Sequence, residues 1–78
     1  MPLSAQLSTG EWYAAVTEIA DDSSLNLRAE PSLNAQILMR LYKGQRLIVI
    51  QKAEDGWVQV KTGSAEGYVL EKYLTKEK

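Results

Sequence analysis

One predicted hairpin constrains the fold of this chain more than any other feature of its sequence. Residues 46–52 are rich in Leu, Ile and Val, and residues 57–61 alternate apolar and polar side chains. Between them lies Glu54-Asp55-Gly56, which is a turn signal. Branched aliphatic side chains are stiff at χ1 and pack well on a pleated surface. The segment therefore predicts two antiparallel strands joined by a tight turn.

The rest of the chain must fold with this hairpin into one small domain, because 78 residues are too few for two. The net charge is -1, so no basic field exists to hold phosphate backbones or anionic lipid. The longest aliphatic run, residues 47–50, is far shorter than the ~20 residues that cross a bilayer. We therefore expect no nucleic-acid partner and no membrane insertion.

The chain contains no Cys and no His, which removes disulfides, thiolate nucleophiles, imidazole bases and nearly every zinc or haem site. Adjacent carboxylates occur at Asp21-Asp22 and at Glu54-Asp55. Both pairs lie in predicted turns, where acids are solvated and lack the apolar pocket that a catalytic acid needs. No EF-hand spacing is present either. We expect no catalytic residue, no metal site and no cofactor.

Two segments have the periodicity of amphipathic helices when they are read locally. Residues 11–20 place apolar side chains at helical spacing behind a capping-box pattern. Residues 34–44 also place apolar side chains at helical spacing, and they end in Lys43-Gly44, which resembles a helix C-terminus. Local propensity alone therefore makes both segments helix candidates.

Other segments read as short strands and loops. Residues 25–28 alternate apolar and polar side chains, and Pro31 favours extended backbone at the residue before it. A glycine-bounded loop is predicted over 63–67, followed by a short strand over 68–70. We expect a flexible leader over 1–10, one folded domain over 11–75, and a frayed tail over 76–78.

Several pieces of the sequence are informative by their order and spacing. In chain order they are Leu25-Asn26-Leu27-Arg28, Pro31-Ser32, Ile37-Leu38, Leu41, Lys43-Gly44-Gln45, Gly56-Trp57, Gly67-Tyr68-Val69 and Lys72-Tyr73-Leu74. Taken together they resemble the bacterial SH3-like (SH3b) domain family over about residues 13–74. Two departures from the family pattern are Glu30 and Met39, which stand where family members often have Gly.

The resemblance implies an all-β fold: a small five-stranded SH3-like barrel, with two nearly orthogonal sheets and a short 3₁₀ turn before the last strand. It favours strands over helices in both disputed segments, since weak propensities yield to tertiary context. The main strands that it implies are 13–17, 25–28, 37–41, 47–51 and 57–61, with a short addition at 68–69.

Three aromatic residues are candidate ligand-binding residues. Strand alternation places Trp57 on the face opposite Val58 and Val60, where a large ring is either a lid over the barrel or a binding surface. The resemblance implies a ligand groove formed by a Trp after the turn and a Tyr in the 3₁₀ turn, which match Trp57 and Tyr73. Tyr68 is a further candidate, although the rings of both tyrosines could instead complete the core.

Arg28 is the fourth candidate. A strand Arg could hold the carboxylate of a cell-wall stem peptide through a bidentate contact. It could instead pair with Glu30 or Glu71 and anchor a loop. Met39 could fill or reshape a depression near the groove.

The resemblance also implies a function: a non-catalytic bacterial binding or targeting module of the cell envelope or extracellular space. Its partner would be a peptide or a peptidoglycan fragment, and it could be attached to a cell-wall hydrolase in a longer protein. The competing interpretation is a structural or assembly module that packs against another protein domain or a second copy. We expect a monomer or a weak homo-oligomer.

Overall fold

The structure, a computed structural model, describes residues 10–77. This part of the chain is built almost entirely of β-strands, with one short 3₁₀ turn. The elements are β1 (Trp12–Val16), β2 (Ser24–Arg28), β3 (Ile37–Tyr42), β4 (Arg46–Lys52), β5 (Trp57–Thr62), β6 (Ala65–Leu70), the 3₁₀ turn (Glu71–Tyr73) and β7 (Leu74–Lys76).

The strands form one hydrogen-bonded antiparallel sheet in the order β3-β2-β6-β5-β4-β1-β7. The all-β prediction is confirmed, and the 3₁₀ turn precedes the last strand as the resemblance implied. The described residues contain seven strands rather than five, because β6 is longer than the predicted short strand and β7 follows the 3₁₀ turn. The ladder is also continuous, whereas the resemblance implied two sheets.

Both local helix interpretations are wrong. The first segment contains β1, which pairs with β4 on one side and with β7 on the other. The second contains β3, which pairs with β2. In each case the backbone groups find partners on neighbouring strands, and this pairing outweighs the local helical periodicity.

The core is aliphatic and follows the predicted alternation of the hairpin. Val58 and Val60 are fully buried, and Val60 lies opposite Val49 of β4. Met39 is partly buried and packs against this core. The largest side chains with almost no exposed surface are Leu27, Leu41, Val16, Val49, Val58, Val60 and Val69.

The turn of the β4–β5 hairpin matches its sequence signal. Asp55 and Gly56 both have positive φ, of 55° and 84°, and the backbone N–H of Trp57 donates to the carbonyl of Glu54 at 3.0 Å. These features define a type I′ turn, whose twist suits an antiparallel hairpin and for which Asp-Gly is preferred. The next predicted loop, 63–67, is shorter than expected, because β6 already begins at Ala65.

Most of the predicted leader lies outside the described residues, which begin at Gly10. At the other end, Lys76 lies in β7 and pairs with Ala14. The backbone N–H of Glu77 donates to the carbonyl of Tyr13 at 2.8 Å. The last residue of the predicted tail, Lys78, is outside the described range.

Gly67 lies where β6 approaches β2 closely. A Cβ atom at this position would come within 2.5 Å of the backbone oxygen of Arg28 and 3.0 Å of Cγ of Leu27. Backbone cannot move aside as a flexible side chain can, so only glycine fits without displacing one strand.

We expect Gly67→Ala to lower the free energy of unfolding by about 1–3 kcal/mol, the usual cost of overpacking. Urea denaturation followed by Trp fluorescence measures this loss. Glu66→Ala is the control, because it changes the neighbouring exposed side chain and should leave the midpoint nearly unchanged. Equal midpoints for Gly67→Ala and the wild type would show that the strands are not this close.

Candidate ligand groove

A cavity of about 370 Å³ lies between the β1–β2 loop, strand β2 and the 3₁₀ turn. Its apolar wall is formed by Trp57, Leu70 and Leu25, and Leu33 reaches it from the β2–β3 loop. The polar part of its lining includes Glu18, Ser23, Ser24, Asn26 and Arg28, while Tyr73 contributes an aromatic ring with a hydroxyl. We call this cavity the groove.

Trp57 is placed in the groove by the hairpin turn that precedes it. Its side chain points away from Val58 and Val60, as alternation predicts, but it is only 7% exposed. The ring is therefore covered on that face and is not an open surface. Trp57 is also one of the residues that line the groove.

The indole N–H of Trp57 is not completely buried. It makes no hydrogen bond to any described residue. Every fully buried side-chain nitrogen or oxygen in this part of the chain does have a hydrogen-bond partner. The small exposed fraction of Trp57 therefore includes its N–H. Indole N–H groups usually find a partner when they are buried, so this one can still donate to another molecule.

Tyr73 comes from the 3₁₀ turn and is half-buried. Its backbone carbonyl accepts the N–H of Thr17 at 3.1 Å and that of Glu18 at 3.2 Å. The Nζ of Lys72 lies 5.2 Å from the centroid of its ring. The 3₁₀ turn thus holds the start of the β1–β2 loop against the groove.

Arg28 closes the groove at the end of β2. Its Nη1 donates to the carbonyl of Ala35 at 3.0 Å, which anchors the loop that follows β2. In the described structure Arg28 forms no ion pair with Glu30 or Glu71. Its contact with the loop is therefore this carbonyl and not a carboxylate. The other guanidinium N–H groups make no hydrogen bond to described residues and are not buried.

Three of the four predicted site residues therefore meet in the groove, and Tyr68 does not. Tyr68 lies in β6, where it pairs with Gln59 on one side and with Arg28 on the other. Sequence reasoning missed Glu18 and Leu33, since neither belongs to a motif. The sequence signal for Leu33 was its apolar side chain in a predicted loop after Pro31. In the structure this side chain is 68% exposed.

An ion pair fastens the far part of the β1–β2 loop. Nζ of Lys43, in the β3–β4 turn, lies 2.8 Å from Oδ1 of Asp21. The hydrogen bond and the charge of Lys43 hold the pKa of Asp21 below its ordinary value, and the same contact raises the pKa of Lys43. Both groups are exposed, so the pair orients the loop more than it stabilises the fold.

Residues 10–77 were compared with the requirements of a metal site and of a membrane-spanning helix, and they meet neither. Among residues 10–77, no group of three or more acidic side chains is close enough to hold a metal ion. No helix between residues 10 and 77 has the length and hydrophobicity that crossing a bilayer requires. Other cavities on the described part of the surface include one of about 510 Å³ beside Tyr13 and Lys61 and one of about 440 Å³ beside Gly56 and Lys72.

Comparison with known proteins gives a family and a relative. The model of a family described as "Bacterial SH3 domain" matches residues 23–75, a range that includes Arg28, Trp57 and Tyr73. A protein of Bacillus subtilis (strain 168), named "Putative N-acetylmuramoyl-L-alanine amidase YrvJ", is 34% identical over 61 residues. The match covers 78% of this chain and 12% of that protein, so the chain resembles one small part of a much longer protein.

The Lys43–Asp21 pair gives the loop a pH dependence. Since the pKa of Asp21 is lowered by folding, the pair contributes above the ordinary pKa near 3.8 and is lost as the pH falls through the lower, folded value. We expect Lys43→Gln to raise the pKa of Asp21 toward its ordinary value, as followed by NMR titration of the carboxyl carbon. Lys61→Gln, which removes a lysine that forms no ion pair with Asp21, should leave that titration unchanged. Identical curves for both variants would contradict the contact.

Proposed function

The chain belongs to the bacterial SH3 domain family, and from this premise we propose that it is a non-catalytic module that binds peptide or peptidoglycan fragments in the groove. We propose further that it works in the cell envelope, as an accessory part of a longer protein such as a cell-wall hydrolase. Similarity to a short segment of the Bacillus subtilis protein, which is named as an amidase of N-acetylmuramoyl-L-alanine, supports this setting.

The observation that carries the proposal is the convergence of Trp57, Tyr73 and Arg28 on one cavity. Its volume of about 370 Å³ is within the range of small-ligand sites. Such sites are mostly apolar and have a few convergent polar groups that fix orientation. The groove has both, since the rings form a wall and the open N–H groups of Trp57 and Arg28 are donors.

These groups suit a peptide chemically. Aromatic rings offer large contact area at low entropic cost, because only two side-chain torsions must be fixed. The indole N–H can donate to a peptide carbonyl, and the free face of the guanidinium can donate to a carboxylate. One Arg28 N–H is already committed to Ala35, so the side chain is held in place before a ligand arrives.

Catalysis is not part of the proposal. The sequence supplies no imidazole or thiol to act as base or nucleophile. The acidic pairs Asp21-Asp22 and Glu54-Asp55 are all exposed in turns. A general acid needs a desolvated pocket to tune its pKa, and exposed turns do not provide one.

A second candidate function is favoured by one specific observation. In the described residues, the exposed large hydrophobic side chains are Leu33, Ile37, Leu38 and Tyr42, all in β3 or the loop before it. Strand β3 is also an edge of the sheet. Exposed apolar edges are typical of surfaces that pack on another protein, so an assembly module remains the alternative.

The assembly alternative makes its own prediction when the partner is a second copy. Sedimentation velocity would then show a mass that rises with concentration, and Leu38→Lys would return the chain to a monomer by placing charge on the edge. Lys61→Ala, on a different strand, is the control. A wild-type chain that stays monomeric at high concentration excludes this version of the alternative.

Groove binding is tested by NMR titration of the labelled chain with a stem peptide, a muropeptide and a proline-rich peptide. We expect the indole N–H of Trp57 and the signals of Tyr73 to shift with a cell-wall ligand. Tyr73→Leu should weaken binding by about threefold to tenfold, in line with the ~0.5–1.5 kcal/mol of an aromatic contact. Tyr68→Leu is the matched control because that ring lies outside the groove. Silence from all three ligands rejects the proposal.

A further inference from the structure

A second cavity lies on the outer face of the sheet, where β1, β4 and β5 run side by side. Its lining includes Tyr13, Ile48 and Lys61, and its volume of about 510 Å³ is within the range of small-ligand sites. No residue lines both this cavity and the groove. On β5, Lys61 is four residues from Trp57, which is about 13 Å along a strand. The second cavity is therefore a separate site.

Two half-buried side chains give the second cavity its apolar part. Tyr13 of β1 lies opposite Ile48 of β4, and Ile48 lies opposite Lys61 of β5. Residues that are directly opposite project from the same face of a sheet, so these three form a row across the strands. At the β5–β6 turn, a Cβ atom on Gly63 would have no atom within 4 Å beyond its chain neighbours. A ligand can therefore approach the row from that end.

The charged residues that line the second cavity are both basic, Arg46 and Lys61. Within residues 10–77, Lys61 makes no hydrogen bond and no ion pair. Glu66 lies opposite it on β6, but Oε2 of Glu66 accepts from Nε2 of Gln59 at 2.8 Å instead. The ammonium group of Lys61 can thus donate all its hydrogen bonds to a ligand.

Arg46 is held in place at one nitrogen and is open at the others. Its Nε donates to Oε1 of Glu77 at 2.8 Å, and its guanidinium carbon lies 5.7 Å from the centroid of the Tyr13 ring. Its Nη1 and Nη2 make no hydrogen bond to described residues. Arg46 and Lys61 are diagonal neighbours on β4 and β5, and such residues are about 7–8 Å apart. One anionic group can therefore contact both long side chains.

The strands that carry the second cavity are inner strands of the described sheet. β1 lies between β4 and β7, β4 between β1 and β5, and β5 between β4 and β6. Their backbone groups pair with these neighbours. A peptide that binds to a sheet usually gains affinity from main-chain hydrogen bonds at a free edge, which these strands do not have. Recognition here depends on side chains, which are two cationic donors beside an apolar surface.

We propose that the second cavity binds a sugar that bears an anionic group, with the anion between Arg46 and Lys61 and the sugar ring against Tyr13 and Ile48. A pyranose ring has C–H groups on its faces and hydroxyls around its edge, so it can pack on an apolar surface and stay hydrated elsewhere. A phosphate or a carboxylate provides the oxygens that guanidinium and ammonium groups bind. This inference goes beyond the proposed function and does not rest on it.

The experiment is an NMR titration of the labelled full chain at constant ionic strength. Glucose 6-phosphate and glucuronate carry the two kinds of anion, glucose carries none, and inorganic phosphate has no sugar ring. We expect both charged sugars to shift the backbone N–H signals of Lys61 and Gly63 and to bind about tenfold more tightly than glucose, because only they make charged hydrogen bonds. Inorganic phosphate should bind more weakly than glucose 6-phosphate, since it makes no apolar contact. The indole signal of Trp57 should stay in place.

Lys61→Gln tests the contribution of the free cation. The side chain is exposed, so the variant should fold as the wild type does. We expect its affinity for glucose 6-phosphate to fall about threefold to tenfold, while its binding of glucose stays the same. Lys52→Gln is the charge-matched control, because Lys52 is also exposed and does not line the second cavity. It should bind all the probes as the wild type does.

Several results would overturn the inference. Equal affinities for glucose and the charged sugars would show that the cations do not select the ligand. Equal affinities for inorganic phosphate and glucose 6-phosphate would leave an anion site without a place for a sugar. Tighter binding of a short acidic peptide would assign the cavity to a protein partner. Equal losses in Lys61→Gln and Lys52→Gln would indicate general charge attraction, and no shift with any probe would exclude the site. Groove binding is judged separately, at the signal of Trp57.

Discussion

The close approach of β6 to β2 at Gly67 is the contact on which the rest of the structure depends. In the described sheet, β2 and β3 hydrogen-bond to the other five strands through β6. At that junction Arg28 of β2 lies opposite Tyr68 of β6. Gly67 lets the strands meet, because any side chain would strike the backbone of Arg28. Without this junction, Arg28 and Trp57 would not share a cavity.

Hydrogen bonds hold the two loops that flank the groove, some of them between backbone groups and one from the side chain of Arg28. The carbonyl of Tyr73 holds the loop that carries Glu18, and Arg28 holds the loop that carries Leu33. Both walls are thus tied to strands or to the 3₁₀ turn before any ligand is present. Such preorganisation lowers the entropic cost of binding. A small cavity makes few contacts with a ligand, so this saving is a larger share of the binding free energy.

Sequence reasoning succeeded where the information was local. The Asp-Gly turn and the period-two pattern around Val58 are set by neighbouring residues, so the hairpin could be predicted. Strands β1 and β3 could not, because their backbone partners are distant in sequence and their local pattern is helical. The resemblance corrected them. For the site, alternation gave the side of Trp57, but only the folded loops bring in Glu18 and cover that ring.

The exposed edge of β3 limits the assembly alternative. The backbone N–H of Tyr42 donates to the side chain of Gln45, and the carbonyl of Tyr42 accepts the N–H of Gln45. These groups point away from β2, and by period two so do those of Arg40. The turn thus occupies one end of the free edge, leaving only a short stretch around Leu38 and Arg40 for an added strand. A protein partner would therefore depend on side-chain packing more than on strand addition, and Leu33, which also lines the groove, would draw it toward Trp57.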